Sequence, residues 1–266
     1  MKRRALLAAA TLAPCAARAQ PLSSAPAPAA HLRPQPGAAV PLGLRIVDSA
    51  GRPGRLSDCF DGTRCVLLVL GYYRCPQLCG LLMHALLEGL QDSGVPRTHW
   101  RIVGLSIDPQ DTPATARSRR ELDLAYADFL LGAQVAPAPL DLRLLVGTPG
   151  EVARLAQAVG FVSAGVPAAA GEPRFTHPAV VTVLTPAGRV ARYLEGLDFE
   201  PAILRAAIAA ARRGEIAPAG DAAAVACGHP EPHWGQRSAL VMGATRALAV
   251  AAAGGLAAWC WRRRRP

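Results

Sequence analysis

Lysine is almost absent from this chain of 266 residues: Lys2 is the only one. Aromatic residues make up 5 % and charged residues 18 %. The net charge is +10, yet Lys2, Arg3, Arg4, Arg18 and the tail Arg262 to Arg265 account for all but +2 of it. No basic stripe interleaved with aromatics is left to track a phosphate backbone, so nucleic-acid binding is excluded as a working reading. There are no internal repeats, which excludes solenoids and propellers. No C-x-x-C pair occurs either, although the chain has seven cysteines. That argues against an ordinary dithiol oxidoreductase motif.

The termini carry the topology signals. MKRRALLAAATLAPCAARAQ has a cationic start, a short apolar run and Ala17-Arg18-Ala19 before Gln20. This predicts a secretory signal over residues 1–19. Arg3-Arg4 leaves a twin-arginine start open, and Leu12-Ala13-Pro14-Cys15 a lipoprotein box with lipidation at Cys15. Residues 238–261 are apolar apart from Arg246 and are followed by four arginines. This predicts a transmembrane helix with a basic cytoplasmic tail at 262–266. The middle of the chain is then expected outside the inner membrane, in the bacterial periplasm, tethered at its C-terminus.

Residues 20–41 are rich in Pro and Ala without periodicity and read as a linker. One domain is expected over residues 42–213, and a juxtamembrane linker over 214–237. Cys65 to Leu70 is a continuous apolar run that suits a strand buried on both faces. Leu78 to Leu90 has helical spacing, and Arg101 to Ile107 is a second buried strand. Thr112-Pro113 opens a helix, and Leu142 to Val146 is a third strand. Thr148-Pro149-Gly150-Glu151 reads as a capping box. Val180 to Leu184 and Arg189 to Leu194 flank Thr185-Pro186-Ala187-Gly188 as a hairpin, and Phe199 to Arg212 is a last helix. Alternating β and α implies an α/β fold, a central mixed sheet flanked by helices.

The chemistry concentrates in Arg74-Cys75-Pro76-Gln77-Leu78-Cys79. With a helix starting near Pro76, Cys75 and Cys79 share one helix face, so their sulfurs can converge. The first-turn N–H groups favour thiolates. Soft thiolates select Cu(I) or Zn(II). His177, just before a buried strand, is the best third ligand. On spacing alone a metal site, a metal-free redox pair and a plain disulfide all stay open. Cys59 and Cys65 flank a turn, as a local disulfide or as two buried thiols. Cys227, His229 and His233 form C-x-H-x-x-x-H beside the expected membrane span, as a second metal site or an ordinary loop. His84, one turn beyond Cys79, is a surface residue or a proton partner. His31 and His99 carry no signal.

The stretch Gly71-Tyr72-Tyr73-Arg74-Cys75-Pro76-Gln77-Leu78-Cys79-Gly80 resembles the metal loop of the Sco/SenC family. Ser106-Ile107-Asp108-Pro109 with Asp111-Thr112-Pro113, Gly147-Thr148-Pro149-Gly150-Glu151, His177 and Pro186-Ala187-Gly188-Arg189 match that family's further motifs in order. The likeness runs from about Leu44 to Arg212. It implies a thioredoxin-like fold and one copper ion held by Cys75, Cys79 and His177. It also implies a role in assembling the dinuclear copper centre of cytochrome c oxidase, by delivering copper, by reducing the recipient's cysteines, or both. The implied partners are the copper-bearing oxidase subunit, other periplasmic copper chaperones and thioredoxin-like reductants. The other reading is a thiol-disulfide oxidoreductase or a peroxidase that uses Cys75 and Cys79 without metal. Four departures stand out. Gln77 replaces an acid, Gly80 a proline and Thr176 an acid, and the stretch from Asp108 to Asp111 is one residue short.

Overall fold

The computed structural model describes residues 30–75, 78–132, 138–166 and 174–218, without the side chains of residues 78, 79, 166 and 174. The described residues open with β1 (His31–Leu32), β2 (Arg45–Asp48) and β3 (Pro53–Arg55), then β4 (Cys65–Gly71) and α1 (Leu78–Ser93). Next come β5 (Trp100–Ser106), α2 (Pro113–Leu131), β6 (Leu142–Gly147) and α3 (Pro149–Ala158). The short strands β7 (Phe161–Val162), β8 (Ala164–Val166) and β9 (Arg174–Thr176) lead to β10 (Val180–Leu184), β11 (Val190–Glu195) and α4 (Pro201–Arg212).

Seven strands form the main sheet in the order β11-β10-β4-β5-β6-β2-β3. β4, β5 and β6 run parallel, and β10, β11, β2 and β3 add antiparallel edges. All seven residues of β4 are buried, as its unbroken apolar run predicts. Its side chains alternate between two cores. Cys65, Leu67 and Val69 face the side of α1, α2 and α4, and Val66, Leu68 and Leu70 face the side of α3. β10 repeats the pattern, with Val181 and Val183 on the first face and Val180 and Leu184 on the second. This is the period-two geometry of a strand applied to a sheet covered on both sides.

The helix starts follow their caps. Thr112 Oγ1 accepts from the Thr115 amide, with Pro113 at the first helical position. Thr148 Oγ1 accepts from the Glu151 amide. The expected second half of that box differs, because the Glu151 carboxylate bonds Arg154 and sits 3.6 Å from Arg45. The cation pairs compete for the oxygen that would otherwise reach back to the cap.

Cys59 and Cys65 are both buried thiols with no disulfide between them. They belong to cores on opposite faces of the sheet. Cys59 closes a 3-10 helix (Leu56–Cys59) rather than a strand. Within the expected linker, residues 31–40 bond to the domain: β1 pairs with β7, Arg33 N donates to Gly160 O at 2.7 Å, and Val40 N donates to Gly188 O. Among the described residues no helix is long and apolar enough to cross a membrane. The expected signal at 1–19, the membrane span at 238–261, the tail and the Cys227, His229 and His233 cluster lie outside the described residues.

Candidate metal centre

β10 runs antiparallel to β4, with Val181 opposite Val69. The residues that enter β10 therefore lie beside the residues that leave β4. Cys75 follows the end of β4 by four positions, and His177 precedes β10 by three. The topology brings the first cysteine and the distant histidine to one end of the sheet. The two lie within electrostatic reach, so a thiolate at Cys75 would favour the charged form of His177.

His177 stands in an aromatic corner. Its ring is 6.0 Å from Tyr72, edge-on, and 5.8 Å from Phe161. Phe175 packs against Tyr72 at 5.5 Å. Burial pushes the His177 pKa below the ordinary imidazole value, against the pull of the Pro178 carbonyl and of Cys75. The ring is thus held neutral, the form a metal requires. Nδ1 lies 3.1 Å from the Pro178 carbonyl oxygen. A carbonyl can only accept, so Nδ1 carries the proton and the lone pair is on Nε2. A backbone acceptor behind a histidine fixes its tautomer and raises its strength as a donor.

Cys75 ends a tight turn in which its amide donates to Tyr72 O at 3.3 Å. Among the described residues it forms no disulfide. Cys79 is the second residue of α1; its side chain, with Pro76 and Gln77, lies outside the described part.

The turn is fastened from below. Tyr73 N donates to Asp111 Oδ2 at 2.8 Å. The Tyr73 hydroxyl reaches between β5 and β6. It accepts from Leu145 N at 2.8 Å and lies 2.6 Å from Leu145 O and 3.1 Å from Gly104 O. Ser106 Oγ donates to the same Asp111 oxygen at 2.6 Å. The Ser106-Ile107-Asp108-Pro109 motif was visible in the sequence, but not its task, which is to hold the cysteine turn. The rings of Tyr72, Phe161 and Phe175 had no periodic signal that could have placed them at His177.

Gly80 now has a partner. A Cβ at that position would lie 3.1 Å from Arg119 Nη1. Arg119 is held bidentately by the fully buried Asp123, at 3.1 and 2.6 Å. His84 stacks on Tyr126 at 3.8 Å, with Nε2 4.0 Å from Asp123. It joins α1 to α2. Thr176 Oγ1 bonds across the β8–β9 hairpin to Ala164 O at 3.4 Å. His31 sits on β1 and accepts from Arg33 Nε at 2.8 Å, and His99 closes a 3-10 turn (Arg97–His99).

Comparison with protein families matches residues 44–212 to SCO1/SenC. No match was found among curated proteins. Among solved structures, a protein of Aquifex aeolicus VF5 provisionally assigned to electron transfer is 22% identical, with a TM-score of 0.55. That match covers 68% of this chain and 96% of the other. Arabidopsis thaliana ScoI, solved with copper bound, is 14% identical with a TM-score of 0.52, over 65% of this chain and 99% of the other. At these identities the likeness establishes a shared α/β fold, a central mixed sheet flanked by helices.

Proposed function

Because the chain belongs to the SCO1/SenC family, we propose that it carries one copper ion on Cys75, Cys79 and His177. It passes the ion to the copper-bearing subunit of cytochrome c oxidase. The domain works in the periplasm, anchored to the inner membrane by residues 238–261. The observation that supports this reading is the topology that brings Cys75 and His177 to one end of the sheet, with His177 Nδ1 tied to Pro178 O. A pure dithiol exchanger has no use for such a histidine.

The residues suit the cargo. Two thiolates and one imidazole form a soft, low-coordinate donor set, which selects Cu(I) over harder cations. The rings of Tyr72 and Phe161 cover part of the histidine. The two thiols can also reduce a disulfide in the recipient. Their own S–S bond then forms, and two electrons and two protons pass to the partner's sulfurs.

The test is copper binding by Cys75→Ser, Cys79→Ser and His177→Ala, each measured under anaerobic conditions with reduced thiols. Each variant should bind copper sharply more weakly than the parent. Unchanged stoichiometry and affinity in all three would overturn the assignment.

A further inference from the structure

Cys75 lies on a four-residue turn whose own closing hydrogen bond is long, at 3.3 Å. Such a turn does not fix a ligand unaided. The residue beside it, Arg74, is exposed along part of its length, but its guanidinium is bonded to the protein. Its Nη2 donates to Asp108 Oδ2 and to Gln110 Oε1, both at 3.1 Å. Its Nε donates to Asp111 Oδ1 at 3.3 Å. Three residues of the β5–α2 loop are thus gathered by one guanidinium.

The acids it meets are not surface acids. The side chains of Asp108 and Asp111 are 2% and 0% exposed, against 42% for Arg74. Each acid divides its oxygens in the same way. Asp108 Oδ1 accepts from Gln110 N at 2.8 Å and gives Oδ2 to Arg74. Asp111 Oδ2 accepts from Tyr73 N and Ser106 Oγ and gives Oδ1 to Arg74. One oxygen of each acid holds its own surroundings, and the other holds the arginine. An exposed pair of this kind would be worth little. Here the loss of the cation would leave two enclosed carboxylates side by side without their shared counter-charge. Their relief would be to draw apart, and Asp111 would take the Tyr73 amide with it.

We propose that Arg74 is a positioning residue for the metal site: its guanidinium clamps the Cys75 turn to the loop after β5 and so holds Cys75 in its ligand position. Cys75, not Arg74, touches the ion. The proposal rests on the copper reading above. Outer partners that orient a metal ligand typically contribute roughly 10- to 100-fold in metal affinity. The planar fork of arginine is needed to meet both acids, since a lysine can reach one of them as a point charge.

The experiment compares the full-length chain with Arg74→Ala, Arg74→Lys and, as a remote control, Arg52→Ala. Two quantities are read: the rate of Cu(I) release to an excess of chelator, and amide hydrogen exchange of the copper-free protein. Arg74→Ala should release copper at least about tenfold faster, with one copper per chain retained. Arg74→Lys should fall between it and the parent, and Arg52→Ala should match the parent. In the copper-free protein the Tyr73 and Cys75 amides should exchange faster in Arg74→Ala, while the β4 amides keep their protection. Unchanged Tyr73 and Cys75 exchange would overturn the clamp whatever copper does. Faster exchange without faster release would overturn its role toward the metal. A parent chain that binds no copper would overturn the function proposed above, and the exchange arm would still decide the clamp.

Discussion

Tyr73→Phe removes one oxygen atom from beneath the candidate site and leaves the ring. The hydroxyl is buried, and burial raises its pKa well above the ordinary phenol value, so it is a neutral donor and acceptor at all relevant pH. It accepts from Leu145 N at 2.8 Å and approaches the Leu145 and Gly104 carbonyls at 2.6 and 3.1 Å. Its single proton can serve only one of those carbonyls at a time. The variant therefore leaves one buried N–H without an acceptor and one carbonyl short of a donor. An orphaned buried donor costs about 1–3 kcal/mol and the lost carbonyl bond about 1 kcal/mol, so the loss should total about 2–4 kcal/mol. With a urea slope of about 2 kcal/mol/M, the unfolding midpoint should fall by about 1–2 M at constant slope. Far-UV circular dichroism and tryptophan fluorescence should agree on that midpoint if unfolding is two-state. A midpoint within about 0.3 M of the parent would refute the claim that this hydroxyl anchors the turn to β5 and β6.

Three further outcomes are expected. The folded-state pKa of His177 lies below its unfolded value, so the unfolded chain takes up the proton first as pH falls. The His177 share of stability should be lost as pH falls from about 6.5 through its folded pKa, and His177→Asn should make the slope shallower in urea titrations, the remainder coming from His84 and His99, whose pKa values burial also lowers. Burial pushes the Cys65 thiol up to about 12 and raises Cys59 as well. Mass spectrometry after iodoacetamide at pH 8 should thus find both unmodified in the folded protein and modified in denaturant. Gly160 has φ +67°, and a Cβ there would fall 1.8 Å from Arg33 O. Gly160→Ala should unseat β1 from β7 and expose residues 31–40 to limited proteolysis at conditions the parent survives.

The parts of this structure that follow from one-dimensional patterns could be read before any coordinates. β4 is a run of seven apolar positions because both its faces are covered, and α2 begins at Thr112-Pro113 because that pair caps a helix in any context. β7, β8 and β9 are only two or three residues long, and β3 is Pro53-Gly54-Arg55, so none offers a period to detect. The candidate site divides in the same way. Cys75, Cys79 and His177 are chemically conspicuous residue types. The bonds of Arg74 to Asp108 and Asp111 join positions 34 and 37 apart, and the ring contact of Phe161 with His177 depends on how β7 is laid against the sheet. Such pairings are fixed by the fold rather than by neighbours in the chain. Whether Cys59 and Cys65 meet was also undecidable from their spacing. Their side chains belong to opposite faces of the sheet, so six residues of separation do not bring the sulfurs together.

The most direct test of the central claim is anaerobic copper titration of the full-length chain with reduced thiols, followed by metal analysis and X-ray absorption. The expected result is one copper per chain, bound by two sulfurs and one nitrogen, with the nitrogen lost in His177→Ala. Absence of tight copper binding, together with rapid disulfide exchange at Cys75 and Cys79, would contradict it and make the pair a metal-free redox tool.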